Sequence, residues 1–238
     1  MSCRVKIKLI ILLFISGLSL QTAVSQSLKR INLNEIPQRK IRNYIASRSI
    51  DKMDDFTLIH ASWKNEIDET GFNVVEKTFF LKNKLSNVWD FYRHANTFEI
   101  WNGKSIRFGL LITKYSKSVV YATNLTCPEV DTGQVYFLNI RLIKGLFNIP
   151  VAFEIINIDQ LQRIVEFSYI DNNKSQGKQT IQFFDDGNGH TRIVHRSYFK
   201  SKSLFRDLWL YPYFHKKFIK EFHKNMNHLI NNKKDVEL

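Results

Sequence analysis

The end of the chain has the pattern of one long amphipathic helix, from about residue 203 to residue 231. Its apolar residues recur every three or four positions and share one face: Tyr211, Phe214, Phe218, Phe222, Met226 and Leu229. The opposite face carries Lys216, Lys217, Lys220, Lys224 and Asn227. Pro212 either kinks this helix or marks its first turn, because proline lacks an amide hydrogen. So much aromatic surface predicts a large apolar partner, which only the preceding sequence can supply.

That preceding sequence is dominated by β-strand patterns. Apolar residues alternate with a period of two at 72–81, which predicts a first strand. Asn83 is then expected to cap a short helix that contains Trp89. Further strands are predicted at about 106–114, 118–123, 134–143, 149–157, 162–171, 177–184 and 191–200. Turn residues at 171–173 and 185–189 separate the last three, and such short connections favour antiparallel pairing.

The first 25 residues predict a secretory signal peptide. Three basic residues precede an apolar run at 9–20, and the small residues at 23–25 suit cleavage before Gln26. The run is short for a membrane-spanning helix, so cleavage is favoured over an uncleaved signal anchor. We therefore expect an exported protein, either periplasmic or secreted. Removal of the signal would leave Cys127 as the last cysteine, so no intramolecular disulfide is expected.

The segment from residue 26 to residue 70 differs in composition from the strands that follow it. Its first half is strongly basic, and Asn34 and Pro37 are expected to begin a short helix with Ile41 and Ile45 on its apolar face. A short strand is expected at 56–59. Packing of this segment on the domain is favoured over contact with a membrane. The chain thus divides into a signal peptide at 1–25, a basic N-terminal extension at 26–70, a domain at 71–231 and a tail at 232–238.

The formal net charge of the chain is +13 at pH 7, and loss of the signal peptide would lower it by three. Such a charge favours acidic partners, such as anionic lipid, polysaccharide or nucleic acid. A solvated basic surface is the simpler interpretation, because charge alone specifies no ligand. Export makes nucleic acid the weakest of these candidates.

The order of the elements resembles the START-like, or SRPBCC, superfamily over about residues 72–230. At its front are a strand, Asn83, the pair Val88-Trp89 and then Trp101; at its rear is GKQTIQFFDDGNGHTRIVHRSYF, residues 177–199, followed by the terminal helix. The stretch at 119–137 is similar to an uncharacterised branch of that superfamily. The resemblance implies an α+β fold of the helix-grip type, in which a curved antiparallel β-sheet wraps around a long C-terminal α-helix.

The resemblance also implies a hydrophobic or lipid-like small molecule held between the sheet and the helix. Aromatic residues suit the lining of such a cavity, although they suit a filled core equally well. The residues expected to contact the ligand are Trp101, Phe199, Phe214, Phe218 and Phe222. Strand alternation turns Glu154 and Glu166 outward and His195 inward, so His195 is the candidate catalytic residue. A structural role for this histidine is the more common outcome.

Binding without catalysis is therefore the leading interpretation, and two alternatives stay open. One is a cyclase- or hydrolase-type enzyme that uses His195 or a nearby tyrosine for acid–base chemistry in the same cavity. The other is a peripheral protein that binds anionic membrane surfaces through the lysines of the terminal helix and the basic segment at 29–48. The spacing of His215, His223 and His228 does not suit a metal site. No motif predicts a cofactor, and the sequence leaves the oligomeric state open.

The N-terminal sequence gives a first testable prediction. When the full chain is expressed with its N-terminus intact, the exported protein should begin at Gln26, because small residues precede that position. Intact-mass spectrometry of the periplasmic or secreted fraction measures this. Recovery of membrane-bound protein that retains the first 25 residues would contradict cleavage and favour the signal anchor.

Overall fold

The computed structural model describes residues 30–64, 69–124, 126–173, 175–204, 207–208 and 211–234, and the predicted signal peptide lies outside these ranges. The helices are α1 (Arg39–Ser47), α2 (Leu85–His94), α3 (Thr97–Ile100) and α4 (Tyr211–Lys234). The strands are β1 (Asn73–Leu81), β2 (Ile106–Thr113), β3 (Ser118–Tyr121), β4 (Gln134–Leu142), β5 (Phe147–Asp159), β6 (Ile164–Tyr169), β7 (Ser175–Asp185) and β8 (Thr191–Ser201). All pairings are antiparallel, in the order β1-β8-β7-β6-β5-β4-β2-β3. The α+β class is confirmed.

α4 packs on one face of this sheet, which we call the concave face. Alternate residues of β5 to β8 meet the apolar side of α4 in the main hydrophobic core. The helix contributes Phe222, Met226 and Ile230 to that core, all no more than 6% exposed. The predicted arrangement of a sheet wrapped around a C-terminal helix is therefore confirmed. No helix among the described residues is long and apolar enough to cross a membrane.

Two polar side chains of α4, Glu221 and Asn225, hold the helix beside the end of α3 and the start of β2. The carboxylate of Glu221 accepts hydrogen bonds from the backbone amides of Ser105, at 2.8 and 3.1 Å, and Ile106, at 3.3 Å. One turn later, Asn225 donates to the carbonyl oxygen of Ile100 at 2.9 Å. Gly103 allows this approach, because a side chain at that position would collide with the Glu221 carboxylate. These contacts fix the position of the helix over the sheet.

The N-terminal extension covers the opposite, convex face of the sheet. Ile36, Ile41 and Ile45 are fully buried there, against residues of β2, β4 and β5. The side chain of Gln38 donates to the carbonyl oxygen of Phe108 at 2.9 Å, where the pairing of β2 with β4 is interrupted by a bulge. The extension therefore packs on the domain and forms a second hydrophobic core with the sheet.

A buried ion pair lies on this covered convex face. Lys114 Nζ is 2.6 Å from Glu154 Oε1, and the two residues are 6% and 8% exposed. Glu154 points away from the concave face, as strand alternation predicts. It is nevertheless buried, because the extension covers this part of the sheet. Removal of either partner would leave an uncompensated charge in a buried site.

Two local predictions in the extension are wrong. α1 begins at Arg39 with Gln38 as its N-cap, so Asn34 and Pro37 precede the helix; Asn34 lies in a separate 3₁₀ turn at Leu33–Glu35. The expected strand at 56–59 is a 3₁₀ helix at Phe56–Leu58. The cause is the Asp55 carboxylate, which accepts a hydrogen bond from the amide of Thr57 at 2.9 Å and closes a turn.

The start of α2 also differs from the prediction. The N-cap of α2 is Lys84 and not Asn83. Asn83 is 3% exposed, and its backbone carbonyl oxygen accepts a hydrogen bond from Thr191 Oγ1 at 2.7 Å. Asn83 is thereby tied to β8. The long terminal helix agrees with its predicted start: α4 is continuous from Tyr211, with Pro212 in its first turn. Before it, Leu204 and residues 207–208 are already helical, and the Asp207 amide donates to the carbonyl oxygen of Ser203 at 3.0 Å.

The second core predicts that the extension contributes to the stability of the domain. Replacement Ile41→Ala should lower the free energy of unfolding by about 2–5 kcal/mol, because it leaves a cavity at a fully buried site. Leu58→Ala, at a residue that is 59% exposed, should change it by no more than about 0.5 kcal/mol. Urea unfolding measures both. Equal effects of the two replacements would show that the extension is not part of the cooperative fold.

Candidate functional site

Six polar side chains form one continuous set of hydrogen bonds between α4 and the concave face, and we call this set the polar chain. They come from four elements, which bring together residues far apart in sequence. The members are Tyr92 of α2, Gln179 of β7, His195 and Ser197 of β8, and His215 and His223 of α4. None is more than 8% exposed. A polar network of this size inside an aromatic core is the most unusual feature of the interior.

Regular secondary structure explains how these residues meet. His195 and Ser197 lie two positions apart on β8, so both side chains point to the concave face. Gln179 is paired with Ser197 in the adjacent strand and therefore points the same way. His215 and His223 lie eight positions apart on α4, which is slightly more than two turns, so they share the face that meets the sheet.

The distances show one unbranched path. Tyr92 Oη is 2.8 Å from His223 Nδ1, and His223 Nε2 is 2.9 Å from His195 Nδ1. His195 Nε2 is 3.0 Å from Gln179 Oε1, which is also 3.2 Å from Ser197 Oγ. Ser197 Oγ is in turn 2.6 Å from His215 Nε2.

The amide oxygen of Gln179 fixes the direction of these hydrogen bonds. It can only accept, so His195 Nε2 and Ser197 Oγ both donate to it. A neutral His195 then accepts at Nδ1 from His223, which accepts in turn from Tyr92. On the other side, Ser197 has used its hydrogen and accepts from His215 Nε2. Every donor of the polar chain thus points toward one oxygen atom.

The polar chain is uncharged at neutral pH. Burial lowers the pKa of His215 and of His223 to about 3. It also lowers the pKa of His195 well below its ordinary value, and the nearby His223 and His215 lower it further. Burial raises the pKa of the Tyr92 hydroxyl well above its ordinary value. Since desolvation disfavours the charged form of each group, all of them are neutral at pH 7.

An apolar cavity of about 50 Å³ lies against the polar chain. Gln179, His195 and His215 provide its polar wall. The remainder of the wall is Trp101, Ile106, Leu138, Ile140, Val151, Phe153, Phe167, Tyr169, Phe218, Ile219 and Phe222. The volume admits a few water molecules, whereas pockets for drug-sized ligands measure about 300–1,000 Å³. Side chains therefore fill nearly all of the space between α4 and the sheet in this conformation.

The residues predicted to contact a ligand divide into two groups. Trp101, Phe218 and Phe222 line the cavity. Phe199 is fully buried outside it and stacks on Tyr211 with ring centroids 3.9 Å apart. Phe214 is also outside, and it stacks on Phe218 at 6.3 Å. Contact of these residues with a ligand stays a prediction, as does a catalytic role for His195, which lines the cavity on its inner side.

Sequence reasoning missed most of the polar chain. His215 and His223 were considered only as metal ligands, and the described residues contain no cluster of three or more His, Cys, Asp or Glu side chains able to hold a metal ion. The available signal was their spacing with Ile219, at i, i+4 and i+8, on the side of the helix that the sheet must cover. Nothing comparable marks Tyr92 or Gln179, whose positions depend on tertiary packing.

Comparison with known proteins gives a fold and no sequence relative. No protein-family model matches the chain, and no curated protein matches it in sequence. A point mutant of norcoclaurine synthase from Thalictrum flavum, in complex with a transition-state analogue, superposes with a TM-score of 0.51 at 12% identity, over 71% of this chain and 99% of the other. The same synthase with dopamine and hydroxybenzaldehyde gives 0.50 at 12% identity, over 71% and 94%.

These similarities define the class of the protein by its fold. The eight-stranded antiparallel sheet and its long terminal helix form a helix-grip fold, which these synthase structures share. The resemblance seen in the sequence is thereby confirmed at the level of the fold.

The neutral histidines predict a stability that falls with acidity. In the unfolded chain each takes up a proton near its ordinary pKa of about 6.5, whereas folded His215 and His223 resist protonation until about pH 3. The free energy of unfolding therefore has its full value above about pH 6.5, where the histidines are neutral in both states. As the pH falls toward 3, the free energy of unfolding decreases by about 1.4 kcal/mol per pH unit for each histidine. Urea unfolding between about pH 6.5 and pH 5, above the range of most carboxylates, measures this slope.

A pair of variants tests the assignment of this slope. His215→Gln should reduce the slope by about 1.4 kcal/mol per pH unit, because a glutamine takes up no proton when the chain unfolds. His228→Gln, at an exposed position of the same helix, should leave it unchanged. If wild type and His215→Gln have the same slope, His215 is not buried in the neutral form.

Proposed function

We propose that this protein is an exported binding protein for a small, largely apolar molecule that carries one neutral hydrogen-bonding group. The molecule would lie between α4 and the concave face of the sheet. The observation that carries the proposal is the meeting of an apolar cavity with the buried, uncharged polar chain at its wall. The signal-like N-terminal sequence supports export.

The chemistry of the wall favours a neutral ligand. Among the described residues that line the cavity there is no carboxylate, lysine or arginine. A charged ligand group would have to lose its water shell without gaining an opposite charge. A hydroxyl or carbonyl group can instead bond to the amide of Gln179, whose nitrogen donates to no described residue, or to His215. The pocket is therefore suited to an alcohol, a phenol or a carbonyl compound.

The size of the cavity favours a small ligand and requires movement on binding. Trp101 packs on Phe222 with centroids 4.4 Å apart, and Phe218 stacks on Phe214, so aromatic rings occupy the space that a ligand needs. Trp101 and Phe218 are half-buried and can turn outward more easily than the fully packed rings behind them. A ring-sized molecule is favoured over a long-chain lipid. The dopamine and hydroxybenzaldehyde bound to norcoclaurine synthase are molecules of this size, each with one ring.

Catalysis by the same residues is less well supported. A general base works best with a pKa near the working pH, whereas burial lowers the pKa of His215 to about 3. His195 has both ring nitrogens engaged, by Gln179 and by His223. The histidines are thus better suited to hold a ligand group than to move its proton.

Three matched ligands test the proposed chemistry. We expect p-cresol to bind more tightly than toluene, by at least about tenfold, because only the phenol satisfies the polar wall. Benzoate should bind more weakly than p-cresol at pH 7, because its charge would be buried without a partner. NMR titration measures the affinities, and the shifted resonances should lie on α4 and the concave face. Shifts confined to the convex face would contradict the proposed site.

Two glutamines on β7 give a matched pair of variants. Gln179→Leu should remove the preference for p-cresol over toluene, whereas Gln182→Leu, on the convex face of the same strand, should keep it. Circular dichroism checks that both variants fold. Phe218→Ala should increase the affinity for a larger probe, 2-naphthol, because it opens the cavity. Preserved preference in Gln179→Leu would remove the polar chain from the binding site.

A further inference from the structure

The β4–β5 hairpin ends in an exposed apolar surface, which we call the hairpin tip (residues 142–149). Four of its large side chains are strongly exposed, a pattern unlike a solvated turn. These are Ile143 at 60%, Leu146 at 74%, Phe147 at 56% and Ile149 at 41%. By contrast, the β7–β8 turn is Asp185-Asp186-Gly187-Asn188-Gly189. Exposed apolar groups clustered in this way mark an interaction site.

The apolar surface of the hairpin tip is continuous with the cavity wall. In the β4–β5 ladder Leu138 is paired with Val151, Ile140 with Ile149, and Leu142 with Phe147. Paired residues share a face, so these pairs form one row on the concave side. Leu138, Ile140 and Val151 line the cavity, and the row then runs outward to the exposed Phe147.

The charges near the hairpin tip have one sign. Residues 141–150 contain Arg141 and Lys144 and no acidic residue. Lys144 is exposed at the turn, and the Arg141 guanidinium lies beside Gly145. Apolar side chains flanked by basic ones match an anionic bilayer, where the former enter the interfacial layer and the latter meet the headgroups. The chain as a whole has a formal net charge of +13.

The shape of the hairpin tip is fixed before any partner arrives. Asn148 donates to the carbonyl oxygen of Gly145 at 2.8 Å, and Asn139 donates to Asn148 Oδ1 at 2.9 Å. A narrow two-stranded projection of this kind can enter a lipid surface. The pairing of β4 with β2 ends at Ile140 and that of β5 with β6 begins at Phe153, so the tip extends beyond both neighbouring strands.

We propose that the hairpin tip docks on the surface of an anionic lipid membrane. Docking stands independently of the proposed small-molecule ligand. If that proposed function holds as well, the apolar row would give a molecule dissolved in the bilayer a route to the cavity.

The full chain without its signal peptide should pellet with phosphatidylcholine vesicles that contain phosphatidylglycerol. It should pellet less with pure phosphatidylcholine, and high salt should weaken the binding. The double variant Leu146→Ser/Phe147→Ser should lose binding by on the order of tenfold or more, because two apolar side chains no longer enter the lipid. Lys144→Glu should reduce binding to the anionic vesicles alone.

The matched control is Leu161→Ser in the β5–β6 turn, where Leu161 is 91% exposed. It should leave vesicle binding unchanged, and circular dichroism checks the fold of every variant. Unchanged binding in the double variant overturns the proposal, as would equal losses in the double variant and the control. Absence of vesicle binding, with self-association in light scattering that the double variant abolishes, would also overturn it and identify a second copy of the chain as the occupant.

Discussion

Across strands β2 to β5 the sheet is apolar on both faces, and each face is buried by a different end of the chain. α4 covers the concave face, and the segment from residue 30 to residue 64 covers the convex one. The N-terminal extension is therefore as much a part of the folded unit as the terminal helix. Cys127 is the single cysteine among the described residues and is free, so two-sided burial and not a disulfide between described residues stabilises the sheet.

The two covered faces differ in how they accommodate polar groups. The convex face buries a charged pair, Lys114 and Glu154, which compensate each other directly. The polar chain on the concave face consists of neutral groups, which form hydrogen bonds to one another. Neutral groups in a nonpolar surrounding keep a hydrogen-bonding ligand group in a defined orientation without the large desolvation cost of a charge. This difference supports the proposal that a small molecule binds on the concave side.

Much of the fold could be predicted from the sequence, because strand alternation and the helix stripe are repeated signals. Phe222 and Met226 lie in the core as the stripe predicts, and the turns at 171–173 and 185–189 connect the expected strands. The centre of the buried face of α4 was missed, since His215 and His223 count as polar in any hydropathy pattern. Their burial is possible only because Ser197 and His195 stand opposite them on β8. These partners lie 18 and 28 residues before the histidines in sequence and on a different element. No local sequence pattern therefore indicates that the histidines are compensated.

The predicted secondary structure is wrong where the hydrogen bonds of a single residue outweigh the conformational preference of its neighbours. Asp55 closes a 3₁₀ turn in a stretch of β-forming residues, and Asn83 is tied to β8 instead of starting α2. Two of the five residues predicted to contact a ligand lie outside the cavity. Phe199 and Phe214 are aromatic residues in the right elements, but their rings stack on other rings.

The single oxygen at which the polar chain converges has a consequence for selectivity. A half-turn of the Gln179 amide would place its nitrogen where the oxygen lies. Gln179 would then donate to His195 and Ser197, and each hydrogen bond out to Tyr92 and His215 would reverse its direction. The nitrogen atoms and hydroxyl oxygens would keep their partners and no net charge would appear, but the hydroxyl hydrogen of Tyr92 would lose its acceptor His223 Nδ1. The amide would now offer its oxygen to the cavity in place of its NH₂ group. One set of side chains could thus complement either a hydroxyl or a carbonyl, with the choice made by rotation about a single bond.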